Sequence, residues 1–375
     1  MSLRSVLLTG VTGSLGSRLC DELLRRTSAT IYCLVRAEDE AAAVARLSGL
    51  PYAASERVVA VAGDVRSPEL GLGDRAWDAL AETIGAVFHC AATVNLQAPY
   101  DLLAPTNVGG TRVLASLAAR STELTGRPCD FHFVSTLGVF INLGNRGVEF
   151  VDETFVPTED SAGELGYPTT KVVAERELRA AAERGELRLT VHRPGLITGD
   201  SRTGRTSDSD LLVPALQACL ELGSVPDGAG ETPADTVDTV ARCIVELASR
   251  PAALGASYHL VRREPLPLMR AIDALGRRGH RLEAIPREEW WEMVQEHSLD
   301  SGNLTLAMMS EVSRYMFAVG RRTPRIRADA TWAALTAAGV SAPPLDDALF
   351  DRVVGSLEAD GKLAAPSETR TAVRI

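Results

Sequence analysis

An apolar run, Val6–Leu8, passes directly into Thr9-Gly10-Val11-Thr12-Gly13-Ser14-Leu15-Gly16 and then into an amphipathic stretch over 15–27. The glycines are spaced G-x-x-G-x-x-G between a strand and a helix. Gly10 allows a tight turn, Gly13 lets the backbone approach a pyrophosphate, and Gly16 lets the helix lie close to the sheet. The helix N-terminus contributes N–H donors and a positive dipole end. A glycine pattern alone is weak, but in this strand-turn-helix setting it predicts a dinucleotide site contacted by Thr9, Gly10, Thr12, Gly13, Ser14, Leu15 and Gly16. The alternative is a glycine-rich turn with no ligand.

The same rhythm continues for about 200 residues. Candidate strands at Val6–Leu8, Thr30–Val35, Val58–Ala62, Ala86–Cys90, Asp130–Ser135 and Leu187–His192, with a later one near Ser257–Val261, alternate with helical segments around 15–27, 38–48, 74–83, 105–120 and 168–184. That alternation implies an α/β fold, a doubly wound parallel sheet with ligands at the carboxyl ends of its strands. Gly199–Asp210 is polar and rich in turn formers, hence a loop. Helices follow near 210–222 and 234–249, and from Glu264 the pattern is mainly helical, with Trp290, Trp291 and Trp332 as expected core anchors of a smaller unit. The expected division is a nucleotide-binding domain over 1–261, with a substrate-side loop about 199–230, and a mainly helical substrate domain over 262–375 whose tail frays from about 357.

Composition removes other classes. The 375 residues carry 39 basic and 49 acidic side chains, a formal charge of −10, which argues against a nucleic-acid partner. No apolar run approaches the length of a membrane span, and the N-terminus does not read as a signal peptide. Six cysteines stand singly without a C-x-x-C pair, which suits a reducing cytoplasm, and six scattered histidines without ligand spacing predict no metal site. Only two of the basic residues are lysine, Lys171 and Lys362. A chain that avoids lysine so strongly is expected to keep it where an ammonium is chemically required.

The choice of dinucleotide is read at the end of the second strand, where an acid selects NAD through the ribose 2′-OH. Here Ile31-Tyr32-Cys33-Leu34-Val35 ends in Arg36, whose guanidinium suits a 2′-phosphate, and Arg46 is positioned to add a second charge. NADPH is therefore the expected cofactor. The alternative is that Arg36 is a solvated charge paired with Glu38 or Asp39. Asp64 ends the third strand, where it can accept from the adenine amino group, and Val65 follows it. Ala91 and Ala92, after the fourth, leave room beside the cofactor, with His89 as a packed neighbour.

Tyr167-Pro168-Thr169-Thr170-Lys171 opens a helix, so Tyr167 and Lys171 share one face. A nearby ammonium is expected to lower the phenol pKa and make Tyr167 a proton donor or acceptor near neutral pH. The fifth strand ends in Phe133-Val134-Ser135-Thr136, bringing a hydroxyl to the same end of the sheet. Asn107 is placed to hold backbone or water, and the turn after His192-Arg193, through Pro194, Gly195 and Ile197, is placed against a nicotinamide amide.

The glycine loop, Tyr167-x-x-x-Lys171 and Arg193-Pro194-Gly195 together resemble the extended short-chain dehydrogenase/reductase superfamily. His89-Cys90-Ala91-Ala92-Thr93-Val94-Asn95, Pro99-Tyr100, Asn107-Val108-Gly109-Gly110-Thr111, Phe133-Val134-Ser135-Thr136, Gly166-Tyr167 with Lys171-Val172-Val173-Ala174-Glu175, and Thr198-Gly199-Asp200-Ser201 with Gly204 and Asp210-Leu211-Leu212 look like the thioester reductases. These are the terminal reductase domains of nonribosomal peptide synthetases and carboxylic acid reductases. The resemblance covers about 3–260. It implies Thr136, Tyr167 and Lys171 as the catalytic set, with Ser135 as the lesser candidate hydroxyl, and 2′-phosphate contacts from Arg36 and Arg46. Ser14 stands where an aromatic is usual, Thr170-Lys171-Val172 replaces a more usual Ser-Lys-Trp, and Pro168 places Tyr167 at the start of its helix.

The resemblance implies NADPH-dependent reduction of an acyl or peptidyl thioester to an aldehyde, or on to the alcohol, in secondary metabolism. The substrate is expected on the phosphopantetheine arm of a carrier protein or on CoA, met in trans if the enzyme is free-standing, the favoured expectation, rather than an excised domain. The alternatives are an extended reductase or epimerase acting on a nucleotide sugar or free ketone, and, last, a non-catalytic NADP sensor. From Val312 to Ala328 lie Arg314, Arg321, Arg322, Arg325 and Arg327 with no acid. That excess is either a solvated face or a docking patch for an acidic carrier.

Overall fold

The computed structural model describes residues 3–207, 210–228, 230–301 and 322–366. Seven strands form one parallel sheet: β1 (Ser5–Thr9), β2 (Thr30–Val35), β3 (Val58–Ala62), β4 (Ala86–His89), β5 (Asp130–Val134), β6 (Arg188–Pro194) and β7 (Ser257–Leu260). Their order is β7-β6-β5-β4-β1-β2-β3. The chain runs outward from β1 to β3 and returns to β4 on the other side of β1, so the carboxyl ends of β1 and β4, in register at Thr9 and His89, flank the switch-point crevice. Each of the seven segments read as a strand from the sequence is in this sheet. Central strands are covered on both faces, which is why they read as continuous apolar runs.

Successive residues of β1 serve opposite faces. Val6 and Leu8 pack with Leu19 and Leu23 of α1 (Ser14–Arg26), whereas Leu7 packs on the other side. Beyond α2 (Glu40–Leu47), that other side is built by α3 (Asp74–Thr83), α4 (Gly110–Thr125) and α5 (Gly166–Glu183). On the α1 face, the rings of Phe88, His132, His192 and Tyr258 form a stack across four strands, with centroids 4.5, 5.5 and 6.2 Å apart. Burial pushes His132 down to about 3 and His192 well below its ordinary value, so both pack as neutral rings.

A second core forms between α6 (Leu212–Leu222), α8 (Leu268–Arg277), α9 (Arg287–Ser301) and α11 (Asp347–Ala359), around Leu216, Leu275, Trp290 and Phe350. The intervening α7 (Val237–Ala248) and α10 (Asp329–Ala337) pack instead on the sheet side. The two cores are thus not divided at 261: residues 212–225 serve the second, while Leu335 and Val340 return to the first. Trp332, expected in the smaller unit, packs beside the sheet and donates from Nε1 to the Val261 carbonyl at 2.8 Å. Nor does the chain fray at 357. α11 continues to Ala359, and Leu357 and Leu363, on either side of the polar stretch 358–362, are both buried in the second core. Among the described residues no helix is long and apolar enough to cross a membrane.

Candidate active site

The glycine turn closes through Gly13 N–H donating to the Gly10 carbonyl at 2.9 Å. Gly10 has φ +74°, and a Cβ on it would meet the Ala91 nitrogen at 2.8 Å. A Cβ on Gly16 would come within 2.1 Å of the Gly10 carbonyl, so this glycine lets α1 close on its own turn rather than on the sheet. Among the described residues no side-chain oxygen caps α1, its first turn holds no acid, and Gly13 and Ser14 are exposed. Free N–H groups at a helix N-terminus, with backbone close by and no competing carboxylate, fit the diphosphate of a dinucleotide.

From this turn a cleft of about 440 Å³ runs along the carboxyl ends of the strands. It brings together Gly10, Gly13, Ser14, Leu15, Gly16, Ala92, Thr136, Tyr167, Lys171, Pro194, Gly195 and Ile197, all read from the sequence. The first residue of α5, Gly166, abuts the chain before it: a Cβ there would lie 2.4 Å from the Ala98 carbonyl. Tyr167 falls in the first turn of α5, and Lys171 one turn later is 2% exposed. Thr136 caps the short turn Leu137–Phe140, its Oγ1 accepting from the Gly138 N–H at 3.1 Å. With its acceptor side engaged, the hydroxyl hydrogen is free to be donated elsewhere. Ser135 lines the cleft too, its Oγ buried and without a hydrogen-bond partner among the described residues.

The expected lowering of the Tyr167 pKa is not what the structure gives. Burial raises the phenol above its ordinary value of 10.0. The Lys171 ammonium donates instead to the Val134 carbonyl at 2.8 Å and lies over the Phe133 ring, 4.7 Å from its centroid. Burial pushes this lysine itself down to about 8. Tyr167 is therefore a neutral phenol at pH 7, chemically able to donate a hydrogen bond or a proton.

Three sequence-read contacts turn their side chains elsewhere. Thr9 Oγ1 is fully buried, 2.9 Å from His89 Nδ1, and accepts from the Ala91 N–H at 3.1 Å. His89 Nε2 lies 3.0 Å from Thr111 Oγ1, and burial pushes the ring down to about 3, so it packs as a neutral spacer. Asn107 accepts from the Thr93 N–H at 2.8 Å and donates to the Thr93 carbonyl and Thr170 Oγ1, both at 3.0 Å. It pins the loop after β4 to α5 and has no amide hydrogen left for a cofactor. Val65 is buried against Gly110. Each side chain satisfies a buried partner in place of facing the crevice.

Thr12, Arg36 and Arg46 are exposed. Among the described residues Arg36 makes no ion pair within 4 Å; Asp39, one alternative partner, caps α2 by accepting from the Ala42 N–H at 2.8 Å. Arg46 Nη1 donates to the Arg36 carbonyl at 2.8 Å, bringing both arginines to the end of β2. Asp64 is chelated by Arg66, which holds its carboxyl below the usual range.

Sequence reasoning passed over several cleft residues. Cys90 lines the cleft, its thiol pushed up to about 12 by burial, and Phe140, Ile141, Leu165 and Glu231–Pro233 complete the walls. No local pattern marks them, since they arrive from separate turns. Asp210, quoted only within a motif, is buried at the substrate side, accepts from Thr206 and from the Leu212 N–H, and is pushed up to about 6 by burial.

Two hydroxyls, of Thr136 and Tyr167, line this crevice, and reduction of a carbonyl calls for donors where negative charge develops on oxygen. Fold and crevice together define a nicotinamide-dependent oxidoreductase of the extended short-chain dehydrogenase/reductase class. The model of the family described as male sterility protein matches residues 8–244. The chain is 32% identical, over 98% of its length, to a linear gramicidin synthase polypeptide of Brevibacillus parabrevis, of which it spans 7%. It is 35% identical, over 96% of its length, to the isonitrile lipopeptide synthase of Streptomyces coeruleorubidus, of which it spans 25%. The solved terminal R domain of the myxalamid PKS-NRPS biosynthetic pathway superimposes with a TM-score of 0.86 at 33% identity, covering 98% of this chain and 93% of that one. The chain belongs to the terminal reductase domains of nonribosomal peptide synthetases.

Proposed function

We propose that this chain uses NADPH to reduce an acyl or peptidyl thioester, presented on the phosphopantetheine arm of a carrier protein, to the aldehyde. The observation that carries the reading is that Tyr167 and Thr136 both line the cleft that starts at the uncapped N-terminus of α1. The bound nicotinamide supplies a hydride to the thioester carbonyl carbon. Tyr167 and Thr136 donate hydrogen bonds to the carbonyl oxygen as charge builds there, and Tyr167 gives up its proton to it. The hemithioacetal so formed expels the thiol and leaves the aldehyde. Lys171, held on the Val134 carbonyl, would offer its remaining N–H groups to the cofactor ribose, and the α1 N-terminus would hold the diphosphate.

Arg36 and Arg46 support the choice of NADPH, since both can reach a 2′-phosphate from the end of β2. The test is incubation of a panel of carrier-bound and pantetheine-bound acyl thioesters with NADPH, followed by mass spectrometry. Aldehyde and free thiol in equal amounts support the reading; a product in which the thioester is intact and another carbonyl is reduced overturns it.

A further inference from the structure

Residues 322–327 form one wall of the cleft at its mouth. Thr323, Pro324 and Ile326 line the cleft, and Thr323 is exposed at the rim. The strand Arg325–Ile326 pairs in parallel with Phe150–Val151. Alternation turns Ile326 toward the core that holds Val151, and leaves Arg325 and Arg327 exposed, as is Arg322 before them. The main chain anchors this segment. The N–H groups of Arg322, Arg325 and Arg327 donate to Asn145 Oδ1, the Glu149 carbonyl and the Val151 carbonyl, each at 2.8 Å. A Cβ on Gly144 would lie 2.3 Å from the Arg322 carbonyl, so the backbone there is closely seated.

The guanidinium groups are therefore not what holds the wall in place. Arg327 stacks on Phe150, 3.9 Å from the ring centroid. Among the described residues Arg322 and Arg325 make no ion pair within 4 Å, whereas arginines elsewhere rest on acids, as Arg112 does on Glu177 and Arg277 on Asp351. Arg314 and Arg321, which the sequence groups with them, lie outside the described residues. In a chain of net charge −10, Arg322 and Arg325 are exposed guanidinium groups beside the cleft with no ion pair among the described residues, while Arg327 lies near Asp152.

We propose that Arg322 and Arg325 form the docking edge for the acidic face of the carrier protein. The inference rests on the thioester reading above. An arm whose thioester reaches Tyr167 and Thr136 leaves the carrier body at the mouth, beside this edge. Opposite charges there raise the encounter rate and act over about a Debye length, ~8–10 Å.

The experiment compares the unmutated chain with Arg322→Glu/Arg325→Glu on one acyl group, presented on an acidic peptidyl carrier protein and on pantetheine. The Kd of the fluorescently labelled carrier is measured alongside. KM and Kd for the carrier should rise about tenfold, while kcat and KM for the pantetheine thioester stay within about twofold. Raising salt from about 50 to about 300 mM should weaken only the carrier substrate. Arg322→Gln/Arg325→Gln, which avoids new like-charge contacts, should give a smaller shift in the same direction. An unchanged carrier Kd, no carrier binding by the unmutated chain, or equal loss on both substrates overturns the docking edge. Failure of the unmutated chain to reduce either thioester overturns the functional reading instead, and the Kd comparison still decides the surface.

Discussion

Arg193 and Glu175 form a bidentate ion pair with neither side chain open to solvent, Nε to Oε1 at 3.0 Å and Nη2 to Oε2 at 2.7 Å. Burial opposes the carboxylate charge, yet the two bonds from Arg193 keep the carboxyl below its usual range. The guanidinium also lies over Phe140, 4.9 Å from the ring centroid, and donates to the Phe155 carbonyl at 3.2 Å. Glu175 is one turn after Lys171, and Arg193 immediately precedes Pro194-Gly195 in the cleft wall. The pair thus fastens the helix bearing Tyr167 and Lys171 to the end of β6.

Removing Arg193 leaves the buried Glu175 carboxylate with only the longer contact to Arg179, at 3.5 Å. Arg193→Met should lower unfolding stability by ~3–5 kcal/mol in urea titration, and Arg193→Met with Glu175→Met should regain most of it. A double variant as unstable as the single one would show that shape, not the stranded charge, is what the site requires.

Lys171 makes a pH prediction. Its pKa is pushed down from 10.5 to about 8 by burial, so the folded chain loses this charge as pH rises through about 8. Because kcat/KM for the cofactor reports the free enzyme, it should decline above about pH 8 while remaining level from about 6 to about 7.5. Lys171→Arg, which stays charged, should be slower at every pH but lack the alkaline decline. A decline that persists in Lys171→Arg assigns it to another group.

What the sequence disclosed here was whatever local spacing encodes. The glycine turn, all seven sheet strands and the placing of Tyr167 and Lys171 on one face depend on residues within one or two turns of each other. Partners far along the chain were not legible. Thr9 meets His89, 80 positions away, and Asn107 meets Thr170, 63 positions away, so neither buried side-chain partner shows in local spacing. The Tyr167 pKa escapes local spacing for the same reason: the i, i+4 pair is local, but the Val134 carbonyl that takes the ammonium belongs to β5. The core that Trp332 joins is likewise hidden, because its carbonyl partner, Val261, lies 71 residues earlier.

The two hydroxyls can be separated by mutation. Tyr167→Phe removes the proton donor and should lower kcat by about 10²–10⁴-fold, with NADPH binding retained. Thr136→Val removes one donor to the oxyanion and also the cap on the Gly138 N–H, so a loss of about 10–10²-fold in kcat is expected, together with a small fall in stability. Stopped-flow transfer from NADPH to a pantetheine thioester checks both. Near-normal turnover in Tyr167→Phe would place the proton donor elsewhere.

Cofactor preference turns on Arg36. It is exposed at the end of β2, without an acid in ion-pair range among the described residues, and Arg46 reaches its carbonyl at 2.8 Å. Asp39 is engaged at the start of α2, and Asp64, the acid at the end of the next strand, is chelated by Arg66. Two guanidinium groups, of Arg36 and Arg46, thus stand at this corner, an arrangement that favours a 2′-phosphate. The unmutated chain should prefer NADPH over NADH. Arg36→Asp should cut the ratio of the two kcat/KM values by about 10–10²-fold, because a charged hydrogen bond is lost and an anion is set beside the phosphate. Arg46→Ala should shift the ratio the same way by less, since Arg36 remains. Both are read by steady-state kinetics at constant ionic strength, because screening alone weakens the phosphate contact. Equal kcat/KM for NADPH and NADH in the unmutated chain sinks the assignment of Arg36 to the 2′-phosphate.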